Sequence, residues 1–206
     1  MNKVGIIEDL DDSFNDYKEI FGMEDIELIR IEKFETIDEI HKIILDKELE
    51  ALIIDYKLKP KYNFLGTEII SKLNKIMPDF TCFILTVYPD ESIEEELVSS
   101  NSIYDKKKVT IPDKEEYFEF VKDIKHAANV FNKRKENLLK EYRENITNKR
   151  YRRGLDAKAK DEIKEKYRLL ANYGIVENIP TEMLEPEAQK KIDELIAKID
   201  EFMNKK

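Results

Sequence analysis

Short apolar runs that stop at polar or charged residues recur along the first half of the chain. Val4-Gly5-Ile6-Ile7 runs into Glu8-Asp9, Ala51-Leu52-Ile53-Ile54 into Asp55, Cys82-Phe83-Ile84-Leu85 into Thr86, and Ser102-Ile103-Tyr104 ends near Lys106. Runs of this length without alternation are the pattern of parallel strands buried on both faces. Between them lie stretches with helical spacing: Phe14, Tyr17, Ile20 and Phe21; then Ile37, Ile40, Ile43 and Ile44; then Ile69, Ile70, Leu73 and Ile76, halted by Pro78. Ile26 to Ile31 reads as a further strand, Phe80 to Leu85 as the fourth, and Glu91 to Val98 as a short charged helix. Such alternation predicts an α/β fold: a five-stranded parallel, doubly wound sheet covered by helices on both faces, over residues 1–130.

From Asp113 the pattern changes. Tyr117, Val121, Ile124, Ala128, Phe131, Lys135, Leu138 and Tyr142 follow gaps of four and three, a heptad seam with one charged member. Asn145 to Gly154 is polar and reads as a break. Asp156 to Asn172 then reads as a helix with Ile163, Tyr167 and Leu170 on one face. Ala188, Ile192, Leu195, Ile199 and Phe202 predict a last helix. Residues 131–206 therefore read as an all-α extension, able to pair two chains or to fold back on itself.

Charge divides at the same place. Residues 1–130 hold 17 basic and 30 acidic side chains, and residues 131–206 hold 19 and 15, so a net −13 is joined to a net +4. The acidic half argues against bulk nucleic-acid affinity. Lys149, Arg150, Arg152 and Arg153 form the one basic cluster, for which a solvated helix end competes with a phosphate-backbone contact. The single cysteine, Cys82, sits in an apolar run, so no disulfide is needed. No apolar stretch approaches membrane-spanning length, and the chain starts directly in a strand pattern, so the expectation is a cytoplasmic protein away from the membrane.

The ends of the apolar runs carry the chemistry. In open α/β sheets the carboxyl edge is where ligands bind, and the spacing delivers Glu8, Asp9 and Asp55 to that edge. Carboxylates crowded together repel by roughly 4 kcal/mol per pair at about 4 Å and an effective dielectric near 20. A hard divalent ion relieves this, and Mg2+ takes oxygen donors. With such an ion in place Asp55 can act as a nucleophile toward phosphorus, Thr86 can hydrogen-bond a phosphoryl oxygen, and Lys106 can neutralise another.

Through IIEDLDDS, LIIDYKLKP, the later FLG, FILTVYP and IYDKK, residues 1 to about 130 resemble the receiver domains of two-component response regulators. The separations are 46 residues from Asp9 to Asp55, 31 on to Thr86 and 20 on to Lys106. The resemblance implies a flavodoxin-like fold, that Glu8, Asp9 and Asp55 hold Mg2+, and that Asp55 accepts phosphate from a phosphohistidine on a sensor histidine kinase or phosphotransfer protein. It implies that Thr86 is the switch hydroxyl and Lys106 the phosphate-contacting lysine. The chain would then be a phosphoacceptor switch rather than an enzyme, with residues 131–206 as a protein-interaction or dimerisation output.

The chain departs from the family pattern in places. Val87 follows Thr86 where the family usually has Ala or Gly, and a larger side chain there predicts a slowly decaying phosphoryl group. The family's aromatic switch position falls at Ile103 if Lys106 is the lysine, or at Tyr104 if Lys107 is. The segment from Asp55 to Gly66 is longer than usual. Three other readings compete: a haloacid-dehalogenase-type phosphatase with Asp9 as nucleophile, which leaves Asp55 unexplained; a degenerate receiver that only docks; and a DNA-binding output through residues 149–153.

Overall fold

The computed structural model describes residues 1–58, 62–112, 114–147 and 157–176. The chain divides into two compact units, Met1–Asn137 and Leu138–Lys206. The first is built on five strands, β1 (Asn2–Ile7), β2 (Ile26–Arg30), β3 (Ala51–Asp55), β4 (Cys82–Thr86) and β5 (Ile103–Asp105). All neighbouring pairs are parallel, in the order β2-β1-β3-β4-β5. Parallel strands need long crossovers, and these carry α1 (Asp11–Gly22), α2 (Ile37–Asp46), α3 (Gly66–Ile76) and α4 (Pro89–Glu94). This is the doubly wound order 2-1-3-4-5.

Burial on both faces explains why the strands read as unbroken apolar runs. Leu52, Ile53 and Ile54 are all fully buried, although successive side chains point to opposite faces. On one face Val4, Ile6, Ile53, Phe83 and Leu85 pack with Tyr17 and Phe21 of α1 and with Tyr117, Phe120, Val121 and Ile124. On the other, Ile54 and Ile84 lie against the start of α3, so closely that a Cβ on Gly66 would stand 3.0 Å from Ile84 Cδ1.

Two further helices follow β5, the four-residue α5 (Lys106–Val109) and the long α6 (Glu115–Thr147), of which the residues up to Asn137 belong to the first unit. The first five seam positions, Tyr117, Val121, Ile124, Ala128 and Phe131, are buried, with Phe131 edge-on to Phe80 at 5.1 Å. This part of the heptad pattern is therefore core of the first unit. Lys135 places its ammonium 4.7 Å above the Phe131 ring. In the second unit, α7 (Ala157–Asn172) buries Leu170, Ile163 and Tyr167. Tyr142 and Tyr167 meet at 5.8 Å, and Lys166 pairs with Glu141 at 2.8 Å.

Boundaries differ from expectation in three places. The charged helix expected at 91–98 is α4 at Pro89–Glu94: proline favours the first helical turn, and the left-handed backbone of Glu96 (φ 54°) ends it. Phe80 belongs to the turn before β4, its N–H donating to the Met77 carbonyl. The polar segment from Asn145 does not break α6 before Thr147. The last expected helix (188–202) and the basic cluster 149–153 lie outside the described residues. No helix among the described residues is long and apolar enough to cross a membrane.

Candidate functional site

Because all five strands run the same way, their carboxyl ends share one edge, and the residue following each apolar run is delivered there. β1 and β3 are adjacent, so Glu8 and Asp9 stand beside Asp55 at the point where the strand order reverses. Glu8, Asp9 and Asp55 each offer an oxygen within 4.8 Å of the others. The cluster is sheltered: Glu8 is 2% exposed.

Lys106 enters from β5. Asp105 ends the strand and caps α5 by accepting from the Lys107 N–H at 2.9 Å, which turns Lys106 back over the sheet edge. Its ammonium donates to Glu8 Oε2 and to Asp55 Oδ2, both at 2.8 Å. Lys107 and Lys108 are exposed. Of the three consecutive lysines, Lys106 is thus the one that reaches the acids. Tyr104 packs its ring at a tilt against Phe120, with centroids 4.3 Å apart, and its hydroxyl donates to Asp123 at 2.7 Å.

The electrostatics follow from one cation among three acids. Burial raises the Asp55 and Glu8 carboxyls above their ordinary values, with Lys106 pulling each back down. Burial lowers Lys106, but the Asp55 charge and the hydrogen bonds the lysine donates to both carboxylates outweigh this and push the ammonium up to about 12. The lysine stays protonated while the notch holds more acid than it neutralises. Hard oxygen donors at this spacing suit Mg2+, so the donor set fits the implied ion.

Thr86 ends β4 at the same edge and is fully buried. Its hydroxyl oxygen accepts from the Tyr88 N–H at 3.0 Å, closing its own turn rather than reaching the carboxylates. Val87 after it is 42% exposed.

Several residues at this edge escaped sequence reasoning. Arg30 ends β2, and its guanidinium donates to the Glu8 carbonyl from Nη2 at 3.0 Å and Nε at 3.3 Å. A charged residue near the end of a largely apolar strand was the signal. Glu95, just past α4, accepts from the Tyr56 hydroxyl at 2.7 Å and from the buried Thr67 hydroxyl at the start of α3. Lys57 pairs with Glu91 at 2.6 Å and lies 3.7 Å above the Tyr88 ring. The longer β3–α3 connection is pinned where Tyr62 stacks on Phe34 at 4.2 Å. No sequence signal marked these last partners, since they are far apart in the chain.

No family model and no curated protein matches the sequence. Solved structures do match. The signal receiver domain of an HD domain-containing protein from Pseudomonas fluorescens Pf-5 aligns with a TM-score of 0.50 at 12% identity, covering 66% of this chain and 92% of that one. A response regulator protein from Thermotoga maritima, solved in complex with Mg2+ and BeF, aligns at 0.48 with 19% identity over 60% of this chain and 99% of that one. A response regulator receiver domain from Clostridium thermocellum aligns at 0.44 with 19% identity over 67% and 99%. Strand order, crossovers and the similarity to the Pseudomonas domain agree: the fold of the first unit is that of receiver domains.

Proposed function

We propose that the chain is a two-component response regulator whose receiver unit is phosphorylated on Asp55. The observation that carries this reading is the placement of Lys106, whose ammonium contacts Asp55 and Glu8 at 2.8 Å over a cluster of three carboxylates. Glu8, Asp9 and Asp55 would hold Mg2+, which supplies charge neutralisation for an incoming phosphoryl group. An Asp55 carboxylate oxygen attacks the phosphorus of a phosphohistidine on a sensor kinase or phosphotransfer protein; the new O–P bond forms as the P–N bond breaks, and the imidazole leaves. Lys106 then bonds a phosphoryl oxygen in place of one of its carboxylate partners. Thr86 follows when its hydroxyl leaves the Tyr88 N–H and donates to the phosphoryl group.

Residues 131–206 form the output in this reading, by protein interaction or dimerisation. Ile103 stands where receivers carry an aromatic switch residue, so the signal passes through Thr86 and its turn without that partner.

The test is mass spectrometry after incubation with acetyl phosphate and Mg2+. A phosphoryl adduct in the wild type that is absent from Asp55→Asn supports the switch. An unmodified wild type points to a docking module. Hydrolysis of a generic phosphate ester, abolished by Asp9→Asn and kept by Asp55→Asn, would point to a phosphatase instead.

A further inference from the structure

The ladder between β1 and β2 ends with the Ile31 N–H donating to the Ile6 carbonyl at 2.9 Å. Beyond it the two strands part, and Lys33 turns through a left-handed conformation (φ 58°). The Glu8 carbonyl lies past this last rung and has no strand partner to accept from. Arg30 closes the gap. It pairs with Ile6 in the register, and its side chain extends along the edge to place Nη2 and Nε on the Glu8 carbonyl.

The guanidinium is held from several sides. Nη1 pairs with Asp11 Oδ1 at 2.5 Å and Nε with Glu32 Oε1 at 3.1 Å. Its carbon lies 5.3 Å above the Phe14 ring, and the side chain is 13% exposed. A planar fork locked in this way can fix the peptide plane it grips, which a single ammonium on a flexible stem does not do.

That plane is the Glu8–Asp9 peptide, the one link between two of the three clustered carboxylates. The Glu8 side chain is already fixed by Lys106 and by the Leu10 N–H, which donates to Oε1 at 3.3 Å. Rotation of the peptide would leave Glu8 in place and swing Asp9 out of the cluster.

We infer that Arg30 is a positioning residue for the metal notch: by clamping the Glu8 carbonyl it holds the Asp9 carboxylate where a divalent cation is bound. This rests on the receiver reading of the notch, and it assigns Arg30 a role opposite to its charge. As a charge alone, a guanidinium beside the notch disfavours a cation. As a clamp, it favours one.

The experiment measures Mn2+ affinity of the full chain by counting free Mn2+ in electron paramagnetic resonance, with thermal melts in the absence of metal. Arg30→Lys keeps the charge and loses the fork; Arg30→Gln loses the charge. Groups that orient metal ligands are worth about ten- to a hundredfold in affinity, so both variants are expected to bind Mn2+ at least about tenfold more weakly. The Gln result is decisive even if the Lys variant does not fold, because loss of positive charge alone would tighten binding. Wild-type affinity or better in either folded variant overturns the role of Arg30 and leaves the notch intact. Absence of Mn2+ binding by the wild type overturns the metal notch itself, and the role of Arg30 with it.

Discussion

Lys106 Nζ stands 2.8 Å from Asp55 Oδ2, across 51 residues of sequence and the one intervening strand, β4. The same ammonium is equally close to Glu8, so a single cation ties the last strand to the first and third. In the proposed function, an incoming phosphoryl group at Asp55 would compete for this lysine.

Replacing Lys106 by Met should leave Glu8 buried without its counter-charge. Removing one partner of a buried pair costs about 3 kcal/mol or more. The expected result is a lower urea midpoint in the absence of metal, partly restored by Mg2+. A midpoint equal to the wild type would show that the carboxylates need no lysine.

Gly66 begins α3 with its N–H donating to the Tyr56 carbonyl at 2.9 Å. A Cβ at this position would collide with the Asp55 carbonyl oxygen and crowd Ile84 and Ile54. Because the first obstacle is backbone, Gly66→Ala should destabilise by about 1–3 kcal/mol and slow acetyl phosphate labelling of Asp55. Chemical denaturation and labelling kinetics check the two effects separately.

Glu95 joins three elements by accepting from Tyr56 and Thr67. Glu95→Ala would strand the fully buried Thr67 hydroxyl, at a cost of about 1–3 kcal/mol. The contact also gives a pH signature. Burial and the Glu95 bond push the Tyr56 phenol from 10.0 up to about 12. A raised value means the folded chain keeps a proton that the unfolded chain releases, so this stability is complete below pH 10 and lost as pH rises toward 12. Tyr56→Phe should flatten the fall in melting temperature over that window; an unchanged slope would refute the assignment.

Val87 sits directly after the proposed switch hydroxyl and is partly exposed at the site edge. Its bulk should hinder the water that hydrolyses an aspartyl phosphate. The phosphorylated wild type is therefore expected to outlast Val87→Ala, measured as loss of the adduct with time. Equal half-lives would dispose of the steric argument.

The fold was legible because burial on both faces leaves a plain mark: apolar runs too short for buried helices, stopped by polar residues and separated by amphipathic stretches, one of which ends at Pro78. The acids of the site were legible for a related reason. In a parallel sheet, position after a run means position at one edge, so Glu8, Asp9, Asp55 and Thr86 could be placed without knowing a single contact. The choice among Lys106, Lys107 and Lys108 could not be made this way, since it depends on how sharply the chain turns at Asp105. The heptad seam was ambiguous too: its spacing is the same whether the stripe meets a second helix or, as Tyr117, Val121 and Ile124 do, the face of a sheet.

Sequence alone determined the strand sequence, the acidic edge and the residue types available for phosphoryl chemistry, because hydrophobic period and strand direction are local properties of the chain. Tertiary structure decided that Lys106 bridges Glu8 and Asp55, that Arg30 grips the Glu8 carbonyl, and that Glu95 binds Tyr56 and Thr67. Each of these joins groups 22 to 98 residues apart, and such partners are chosen by strand order and helix packing, which no local pattern encodes.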